Sequence, residues 1–353
     1  MPFTEDKLLV HLPVAPPPGW LDRVAERFPG LEVRWEKAQV VASGLSSADE
    51  LPAEVLEGVT MMCLYPPPSP AKMPDVRYVQ LASAGSDLWM GHPKYMDPDV
   101  KFCSSSGVHP PQIAEWVIGT WLTHAYSLGR YAMDQRNEKW DPLVDFHSFG
   151  ADSVGRRMGI LGYGAIGRNC ARMAQALGMS VYAYTHSPKP TPESRRDTSG
   201  YRVPGTGDPE GTIPERWFSG SVDDFLAQDL DVLVVAVPLR ESTRGLLGRP
   251  QFEILGRGGK RTFISNVARG PIIDTDALIE ALEAGTIAGA ALDVTDPEPL
   301  PRGHPLWRAP NVTITPHISW QSKNVFARVA DILFSNLERL EKGEPMLNTI
   351  KRS

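Results

Sequence analysis

The segment from Met158 to Tyr184 constrains the fold most, because it has the order strand, glycine-rich turn, helix, strand. Met158–Leu161 and Ser180–Tyr184 are short apolar runs, and Ile166–Leu177 between them has the length of a helix and ends before Gly178. Two consecutive strands joined by a crossover helix lie parallel in one sheet. We therefore expect a parallel, helix-covered sheet in this part of the chain.

The same alternation extends over the rest of the sequence. Val232–Val237 is almost wholly apolar, as expected for a strand buried on both faces of a sheet. Thr275 is the expected N-cap of one of the predicted helices. Apolar runs, helical periodicity and turn residues predict further strands at Lys7–Val14, Leu31–Glu36, Val59–Tyr65, Tyr78–Ser83, Val100–Ser104, Phe263–Asn266, Ala288–Val294 and Val312–Thr315, and helices at Trp20–Phe28, Pro111–Ala125, Asp276–Glu283 and Ser322–Lys342.

This pattern predicts an α/β fold with two Rossmann-like or flavodoxin-like domains, parallel sheets and a cleft between the domains. The length of 353 residues fits two domains of about 150 residues each. The segment Pro188–Pro214 differs from its surroundings, since ten of its 27 residues are Pro or Gly and it shows no apolar period. It is predicted to be a loop or a poorly ordered excursion.

Composition excludes several classes of partner. The formal net charge is −6 and there is no long basic run, so neither nucleic acid nor an anionic membrane is an expected partner. Met1–Val14 lacks the apolar core of a signal peptide, and no apolar stretch approaches the ~20 residues that span a bilayer. Cys63, Cys103 and Cys170 lack metal-ligand spacing and are expected to be buried, reduced thiols of a cytoplasmic protein without a metal site.

A dinucleotide fingerprint follows the strand Met158–Leu161. It reads Gly162-Tyr163-Gly164-Ala165-Ile166-Gly167 and opens the predicted helix. In such motifs the first glycine permits a tight turn, the second lets the backbone approach a pyrophosphate, and the third lets helix and strand pack closely. The helix N-terminus adds N–H donors and a positive dipole end. The context of strand, turn, helix and strand therefore predicts a bound NAD or NADP.

The end of the next strand favours NADP over NAD. An acidic residue there usually binds the adenosine ribose 2′-hydroxyl. Here Thr185, His186 and Ser187 follow the strand, and no carboxylate is present before Glu193. Three basic residues lie close by in the sequence, namely Lys189, Arg195 and Arg196. A hydroxyl with nearby cations would accept a 2′-phosphate, although Thr185 and backbone contacts also suit NAD.

Three later stretches each place an ionisable residue just beyond a predicted strand. Arg269 follows Phe263–Asn266, Glu298 follows the strand that ends at Val294, and His317 follows Val312–Thr315. Open α/β sheets bind ligands at the carboxyl ends of their strands. An arginine that can hold a carboxylate, a histidine that can exchange a proton and a glutamate that can orient it are suited to the reduction of a keto acid.

With the glycine fingerprint, these stretches resemble the D-isomer-specific 2-hydroxyacid dehydrogenase family. Three more motifs carry the resemblance, which covers nearly the whole chain, and occur in the family's order: Ala84-Gly85-Ser86-Asp87, Ile113-Ala114-Glu115 and Val235-Ala236-Val237-Pro238-Leu239. The family's catalytic arginine, its glutamate before proline and its histidine after proline match Arg269, Glu298 and His317. The resemblance implies reversible reduction of a 2-keto acid to a D-2-hydroxy acid, with NAD(P)H as hydride donor.

The resemblance also implies roles for other residues. Asp293 is expected to accept a bond from the nicotinamide carboxamide, and the backbone N–H groups of Ala84 and Gly85 to bind the substrate carboxylate. The walls of the nicotinamide pocket are expected to be Val237, Pro238, Val267 and Ala268. Tyr65 and Trp320 are candidates for the substrate pocket, whereas Trp89 is interpreted rather as a core or interface residue.

In family terms, residues 1–108 with 320–353 would form a discontinuous substrate-binding domain, and 109–319 the dinucleotide-binding domain. The helix after Pro111 resembles the family's dimerisation element, so a homodimer is expected. Thr185, the long loop after Pro188 and Trp320 depart from common family forms.

Several alternatives stay open at this point. Glyoxylate or hydroxypyruvate is one possible specific substrate, and branched or aromatic 2-keto acids are others. Formate dehydrogenases share the fold but carry glutamine at the position of Glu298, so this residue argues against them. Phosphoglycerate dehydrogenase is disfavoured because little chain follows the last helix. A few relatives are NAD(H)-sensing corepressors, and the intact trio does not exclude that role.

Overall fold

The computed structural model describes residues 3–41, 44–140, 152–198 and 200–351. The chain divides into two compact units. Unit 1 comprises Met1–His109, Ser199–Val203 and Ser322–Ser353, and unit 2 comprises Pro110–Thr198 and Pro204–Gln321.

Unit 1 is built on a five-stranded parallel sheet of order β2-β1-β5-β6-β7. This is the flavodoxin-like strand order. In sheets of this order the direction of winding changes between the strands that correspond to β1 and β5, and ligands bind at that position. A separate antiparallel pair, β3–β4, was not predicted. The strands are β1 (Lys7–Leu12), β2 (Glu32–Lys37), β3 (Val40–Val41), β4 (Gly44–Leu45), β5 (Met61–Leu64), β6 (Tyr78–Leu81) and β7 (Lys101–Cys103), and the helices are α1 (Trp20–Arg27), α2 (Ala53–Leu56), α3 (Pro93–Met96) and α11 (Val325–Lys342).

Unit 2 is built on a seven-stranded parallel sheet of order β10-β9-β8-β11-β12-β13-β14. The order reverses between β8 and β11, the position at which doubly wound sheets bind dinucleotides. Its strands are β8 (Arg157–Leu161), β9 (Ser180–Tyr184), β10 (Arg216–Phe218), β11 (Val232–Val235), β12 (Phe263–Asn266), β13 (Gly289–Leu292) and β14 (Val312–Ile314), and its helices are α4 (Pro110–Ala125), α5 (Leu128–Arg136), α6 (Ala165–Ala176), α7 (Pro192–Arg195), α8 (Val222–Leu226), α9 (Arg249–Leu255) and α10 (Thr275–Glu283).

Both sheets therefore confirm the predicted α/β class with parallel strands. Val232 and Val234 pack into the apolar cluster on one face of the unit 2 sheet, and Leu233 and Val235 into the cluster on the other. This alternation explains why the whole β11 run is apolar, since successive side chains point to opposite buried faces.

The structure corrects one predicted N-cap. Thr275 is not the N-cap of α10, because the Asp274 carboxylate accepts the bond from the Ala277 N–H at 3.1 Å. A carboxylate one residue earlier thus takes the position that Thr275 was predicted to hold. The predicted domains, 1–108 with 320–353 and 109–319, stay a prediction. The segment 188–214, hereafter the excursion, contains α7, and the Asp197 N–H donates to the Pro209 carbonyl within it.

All three cysteines are free and buried, as expected. Burial raises the pKa of the Cys103 thiol to about 11 and that of Cys170 to about 12. Within the described ranges, no helix is both long and apolar enough to cross a membrane.

Candidate active site

The three glycines of the fingerprint occupy three different environments at the start of α6. Gly162 has φ +105°, and a Cβ there would lie 2.7 Å from the Ala236 carbonyl oxygen. A Cβ on Gly167 would lie 2.5 Å from the Gly162 carbonyl oxygen, so this glycine permits close packing of turn and helix. Gly164, which caps α6, has no described atom within 4 Å of its Cβ position. The open space beside Gly164, at the N-terminus of a twelve-residue helix, fits a pyrophosphate.

The turn of the fingerprint is bonded to the end of β9. The N–H groups of Gly162 and Tyr163 both donate to the Tyr184 carbonyl, at 3.1 and 3.2 Å. Thr185 follows directly, and its hydroxyl donates to the Ser187 carbonyl at 2.9 Å. The structure therefore brings the predicted cofactor residues 162–167 and 185–187 together at one edge of the sheet.

The basic residues near Thr185 separate into paired and unpaired ones. Arg196 pairs with Glu210 at 2.9 Å. The Arg195 guanidinium donates to the Lys189 carbonyl at 3.0 Å and lies over the Trp217 ring. The Lys189 ammonium has no hydrogen-bond or ion-pair partner in the part of the chain that the structure describes. It is half-buried and is thus the cation available to an anionic ligand.

His317 and Glu298 are in direct contact. Nδ1 of His317 lies 2.7 Å from Oε1 of Glu298, and both side chains are about two-fifths exposed, at 41% and 39%. The second oxygen, Oε2, accepts a bond from the Thr295 N–H at 3.4 Å. Because Glu298 engages Nδ1, the ring presents Nε2 as its other nitrogen. A histidine oriented by a carboxylate in this way is suited to exchange protons with a ligand.

The backbone at His317 has an unusual conformation that Asp293 stabilises. His317 has φ +55°, a left-handed geometry that is uncommon for residues other than glycine. Its N–H donates to the Asp293 carbonyl at 2.8 Å. The Asp293 carboxylate, only 2% exposed, accepts bonds from Thr315 Oγ1 (2.6 Å), the Ile318 N–H (2.8 Å), and the N–H (2.9 Å) and Oγ (2.5 Å) of Ser319.

Asp293 thus holds the turn that carries His317 from both sides. All four donors lie within five residues of the chain around the histidine. The carboxamide contact that the resemblance implies for Asp293 stays a prediction. Sequence reasoning did not identify Thr315 and Ser319 as its partners, although both are hydroxyl residues flanking a left-handed histidine.

Arg269 lies on a turn that packs against the Glu298 segment. Its guanidinium donates to the Ala268 carbonyl at 2.7 Å, and the side chain is half-buried. At the next position, a Cβ on Gly270 would lie 1.9 Å from the Thr295 carbonyl oxygen, so only glycine fits between the two segments. The structure therefore brings the turn of Arg269 against the start of the segment that leads to Glu298.

Asn266, at the end of β12, is a site residue that sequence reasoning missed. It is 1% exposed, accepts a bond from the Ala268 N–H at 3.1 Å and donates to the Arg269 carbonyl at 3.2 Å. An amide side chain at the last position of a predicted strand, just before the turn of Arg269, is the signal that could have identified it. Of the predicted pocket walls, Val267 and Ala268 are buried, Val237 is half-buried and Pro238 is exposed.

In unit 1, the predicted substrate loop follows β6. Ala84 is exposed, and the Ser83 hydroxyl donates to the Gly85 carbonyl at 2.6 Å. Tyr65 follows β5, the strand that pairs with β6, and it is 39% exposed. Leu64 and Leu81, the last residues of the two strands, are register partners.

A buried polar network supports the loop from below. The Ser105 N–H donates to the Ser83 carbonyl at 2.8 Å, and its hydroxyl donates to the Leu81 carbonyl at 2.6 Å. The amide of Gln80 donates to Ser105 Oγ at 3.3 Å and accepts a bond from Asn336 of α11 at 2.9 Å. Ser105, Gln80 and Asn336 are all fully buried.

The two tryptophans singled out in the sequence have different surroundings. Trp89 is 1% exposed, with its ring edge-on to Phe102 at 5.1 Å, which confirms its interpretation as a core residue. Trp320 donates from its indole to the His317 carbonyl at 2.8 Å, and its ring packs partly buried against the apolar cluster of α4 and α6. Substrate contact by Trp320 stays a prediction.

Comparison with known proteins adds to this geometry. The profile of the D-isomer specific 2-hydroxyacid dehydrogenase, NAD binding domain, matches residues 118–204 and 213–319, more than half of the chain. The chain belongs to the D-isomer-specific 2-hydroxyacid dehydrogenase family. It is therefore an oxidoreductase that uses a nicotinamide dinucleotide, as the resemblance implied.

Relatives of this 2-hydroxyacid dehydrogenase agree with that assignment. A hydroxypyruvate reductase of Blautia hydrogenotrophica is 30% identical over 286 residues, 78% of this chain and 79% of the relative. A glyoxylate reductase of Thermofilum pendens is 29% identical over 325 residues, 90% of this chain and 89% of the relative. The crystal structure of a D-isomer specific 2-hydroxyacid dehydrogenase from Xanthobacter autotrophicus, in complex with NADPH and MES, is 28% identical, with a TM-score of 0.71 over 98% of both chains.

Proposed function

We propose that this dehydrogenase reversibly reduces a small 2-keto acid to the D-2-hydroxy acid, with His317 and Glu298 as the acid–base pair and Arg269 as the substrate anchor. The 2.7 Å contact between His317 Nδ1 and Glu298 Oε1, on a turn that Asp293 stabilises, is the observation that carries this proposal. It accounts for the orientation of the histidine ring.

The proton transfer follows from this contact. Because Nδ1–H donates to Glu298, Nε2 is the atom that gives a proton to the keto oxygen and takes it back in the oxidative direction. The Glu298 carboxylate fixes the orientation of the imidazole ring through this contact. Formate oxidation requires no such exchange, so Glu298 favours a keto-acid substrate over formate.

Arg269 supplies a planar, permanently charged donor group for the substrate carboxylate or carbonyl oxygen. Asn266 fixes the backbone of its turn, so the guanidinium starts from a defined position. In unit 1, the backbone N–H groups of Ala84, which is exposed, and Gly85, which is half-buried, are the candidate uncharged donors for a substrate carboxylate.

The fingerprint residues are suited to hold the dinucleotide, which supplies the hydride when bound. Open space beside Gly164 and the free end of α6 fit the pyrophosphate. The absence of a carboxylate at Thr185 and the unpaired Lys189 ammonium support NADP over NAD, because Lys189 can neutralise a 2′-phosphate.

The substrate class rests on the relatives. Those named glyoxylate reductase and hydroxypyruvate reductase support glyoxylate or hydroxypyruvate as the specific 2-keto acid. Tyr65 in unit 1 and Trp320 in unit 2 are each candidates for contact with the substrate's side chain.

A steady-state panel tests the activity. Oxidation of NADPH and NADH is followed with glyoxylate, hydroxypyruvate, pyruvate, branched 2-keto acids and phenylpyruvate, and we expect the highest kcat/KM with glyoxylate or hydroxypyruvate. Turnover with none of these acids, by protein that still binds NADPH, would contradict the enzymatic proposal and favour a corepressor-like role.

Cofactor choice is tested by two single substitutions in the same segment. Lys189→Ala should raise the Kd for NADPH about tenfold, because a charge-assisted contact to phosphate is lost, and should leave the Kd for NADH within about twofold. Arg196→Ala is the matched control, since it removes the same charge from a residue already paired with Glu210. Equal loss of affinity for both cofactors in the Lys189 variant would rule out its role at the 2′-phosphate.

A homodimer is also proposed. The α4–α5 region exposes a group of apolar side chains, namely Tyr126, Leu128, Tyr131, Met133 and Trp140. Apolar side chains concentrated in one stretch indicate an interface. Sedimentation velocity at micromolar concentration should give the mass of a dimer, and Met133→Glu should shift it toward the monomer.

A further inference from the structure

The excursion has two limbs, residues 188–198 and residues 204–214, and a backbone hydrogen bond joins them. The N–H of Asp197, in the first limb, donates to the carbonyl of Pro209, in the second, at 2.8 Å. Gly211 packs so closely on Arg195 that a Cβ there would lie 2.2 Å from the Arg195 carbonyl oxygen. The composition of Pro and Gly therefore reflects tight local packing.

A buried carboxylate anchors the second limb on the glycine fingerprint. Asp208 is 3% exposed, and its Oδ2 accepts the hydroxyl of Tyr163, itself 4% exposed, at 2.7 Å. The N–H groups of Thr212 and Ile213 donate to the same carboxylate at 3.0 and 3.2 Å. Burial, and then the charge of Asp208, raise the pKa of the Tyr163 hydroxyl far above its usual range, so the hydroxyl stays a donor at neutral pH.

Arg168, in the first turn of α6, anchors the first limb. It is 5% exposed and donates to the Arg195 carbonyl at 2.7 Å and to the Asp208 carbonyl, while its guanidinium lies 5.0 Å from the centre of the Tyr163 ring. The Arg195 side chain then donates to the Lys189 carbonyl. A continuous set of contacts therefore leads from the fingerprint through both limbs to Lys189.

We propose that Asp208 and Tyr163 are positioning residues for cofactor choice, which hold the excursion on the fingerprint so that Lys189 stays beside Thr185 for the 2′-phosphate of NADP. This inference rests on the proposed dinucleotide site. A buried carboxylate remains stable only while its donors are present, so loss of the tyrosine hydroxyl weakens the anchoring of the whole excursion. The fingerprint glycines themselves keep their positions, and NADH, which lacks the 2′-phosphate, is affected little.

A double-mutant cycle tests this inference in the full-length protein. The Kd values for NADPH and NADH are measured by nicotinamide fluorescence for wild type, Tyr163→Phe, Lys189→Ala and the double variant. We expect Tyr163→Phe to raise the Kd for NADPH about fivefold and that for NADH less than twofold. In the double variant the Kd for NADPH should equal that of Lys189→Ala alone, because the hydroxyl acts through the lysine.

Tyr184→Phe is the matched control. Its hydroxyl donates to the Gly220 carbonyl at 2.7 Å, outside the excursion, so the same substitution at the end of β9 should change neither Kd. Tyr163→Phe keeps the ring and its packing, and melting temperatures identify any general loss of structure. Multiplicative effects in the double variant, or equal losses for NADPH and NADH in Tyr163→Phe, would overturn the inference.

The same measurements separate this inference from the proposed function. Wild-type protein that binds neither cofactor would contradict the dinucleotide site itself. A different result would contradict only the positioning role. In that case the wild type prefers NADPH, Lys189→Ala abolishes the preference, and Tyr163→Phe retains it.

Discussion

The two sheets present different chemistry at the carboxyl ends of their strands. In unit 2, the segments after β12, β13 and β14 carry an arginine, a glutamate and a histidine, and the turn after β8 carries the glycine fingerprint. In unit 1, the loop after β6 carries the small, uncharged residues Ser83, Ala84, Gly85 and Ser86 before Asp87. The ionisable candidate residues are thus concentrated in unit 2, whereas backbone N–H groups are the candidate donors of the loop in unit 1.

The two units also hold their functional loops by different means. The buried Asp293 carboxylate collects four donors around His317, whereas the loop of unit 1 is supported by neutral groups, Ser105, Gln80 and Asn336. The loss of one hydrogen bond to a buried charged group destabilises the fold strongly. The loss of one hydrogen bond in a buried neutral network destabilises it less. Changes around His317 should therefore affect kcat, and changes around the loop of Ala84 should affect KM.

The largest expected effect is that of His317→Ala. Removal of the proton donor should lower kcat by about three orders of magnitude and leave the Kd for NADPH within about twofold. The control is His304→Ala in the same unit, a histidine that caps the turn at Pro305–Arg308 and should keep kcat. A kcat near the wild-type value in His317→Ala would contradict the role of His317 in proton exchange.

A smaller effect is expected from Ser105→Ala in unit 1. Loss of the bond to the Leu81 carbonyl loosens the loop of Ala84 and should raise the KM for the keto acid about fivefold, with kcat and the Kd for NADPH little changed. Ser265→Ala is its counterpart in unit 2, because this serine is also fully buried and its hydroxyl has no partner among the described residues. A lowered kcat with constant KM in Ser105→Ala would erase the division between the units.

The smallest effect concerns pH and compares one histidine from each unit. Burial lowers the pKa of His11 in unit 1, and burial also lowers that of His124 in unit 2, which stacks on Phe263. Below about pH 6.5 the unfolded chain binds protons that these folded histidines do not, so the free energy of unfolding should fall as the pH decreases from 7 to 5. Denaturant titrations at several pH values should show a smaller decrease in the free energy of unfolding for the double variant His11→Gln/His124→Gln. An unchanged dependence of this free energy on pH would exclude both histidines as its source.

Much of the fold and the site could be predicted because local signals suffice for them. The strands β8, β9, β11 and β12 are apolar runs bounded by turns, and the fingerprint fixes its own turn through Gly162 and Gly167. Arg269, Glu298 and His317 each follow a strand, so the parallel topology brings them to one edge of the sheet.

Other features depend on contacts that the sequence does not display. Asp208 and Tyr163 are 45 residues apart, and neither belongs to an apolar period that would indicate their contact. Asp274 and Thr275 are both good caps, and only the backbone geometry decides between them. Very short elements such as β10 and the β3–β4 pair bury too few residues to give a pattern.

The three buried thiols give the protein an internal reporter of opening. Thiolates are the form that alkylating reagents attack, and burial keeps Cys63, Cys103 and Cys170 protonated and covered. Each thiol becomes reactive only when its surroundings open, so the rate of alkylation measures that opening. Cys63 and Cys103 lie in unit 1 and Cys170 lies in α6 of unit 2, so peptide mapping after timed alkylation would show which sheet opens first, without any introduced label.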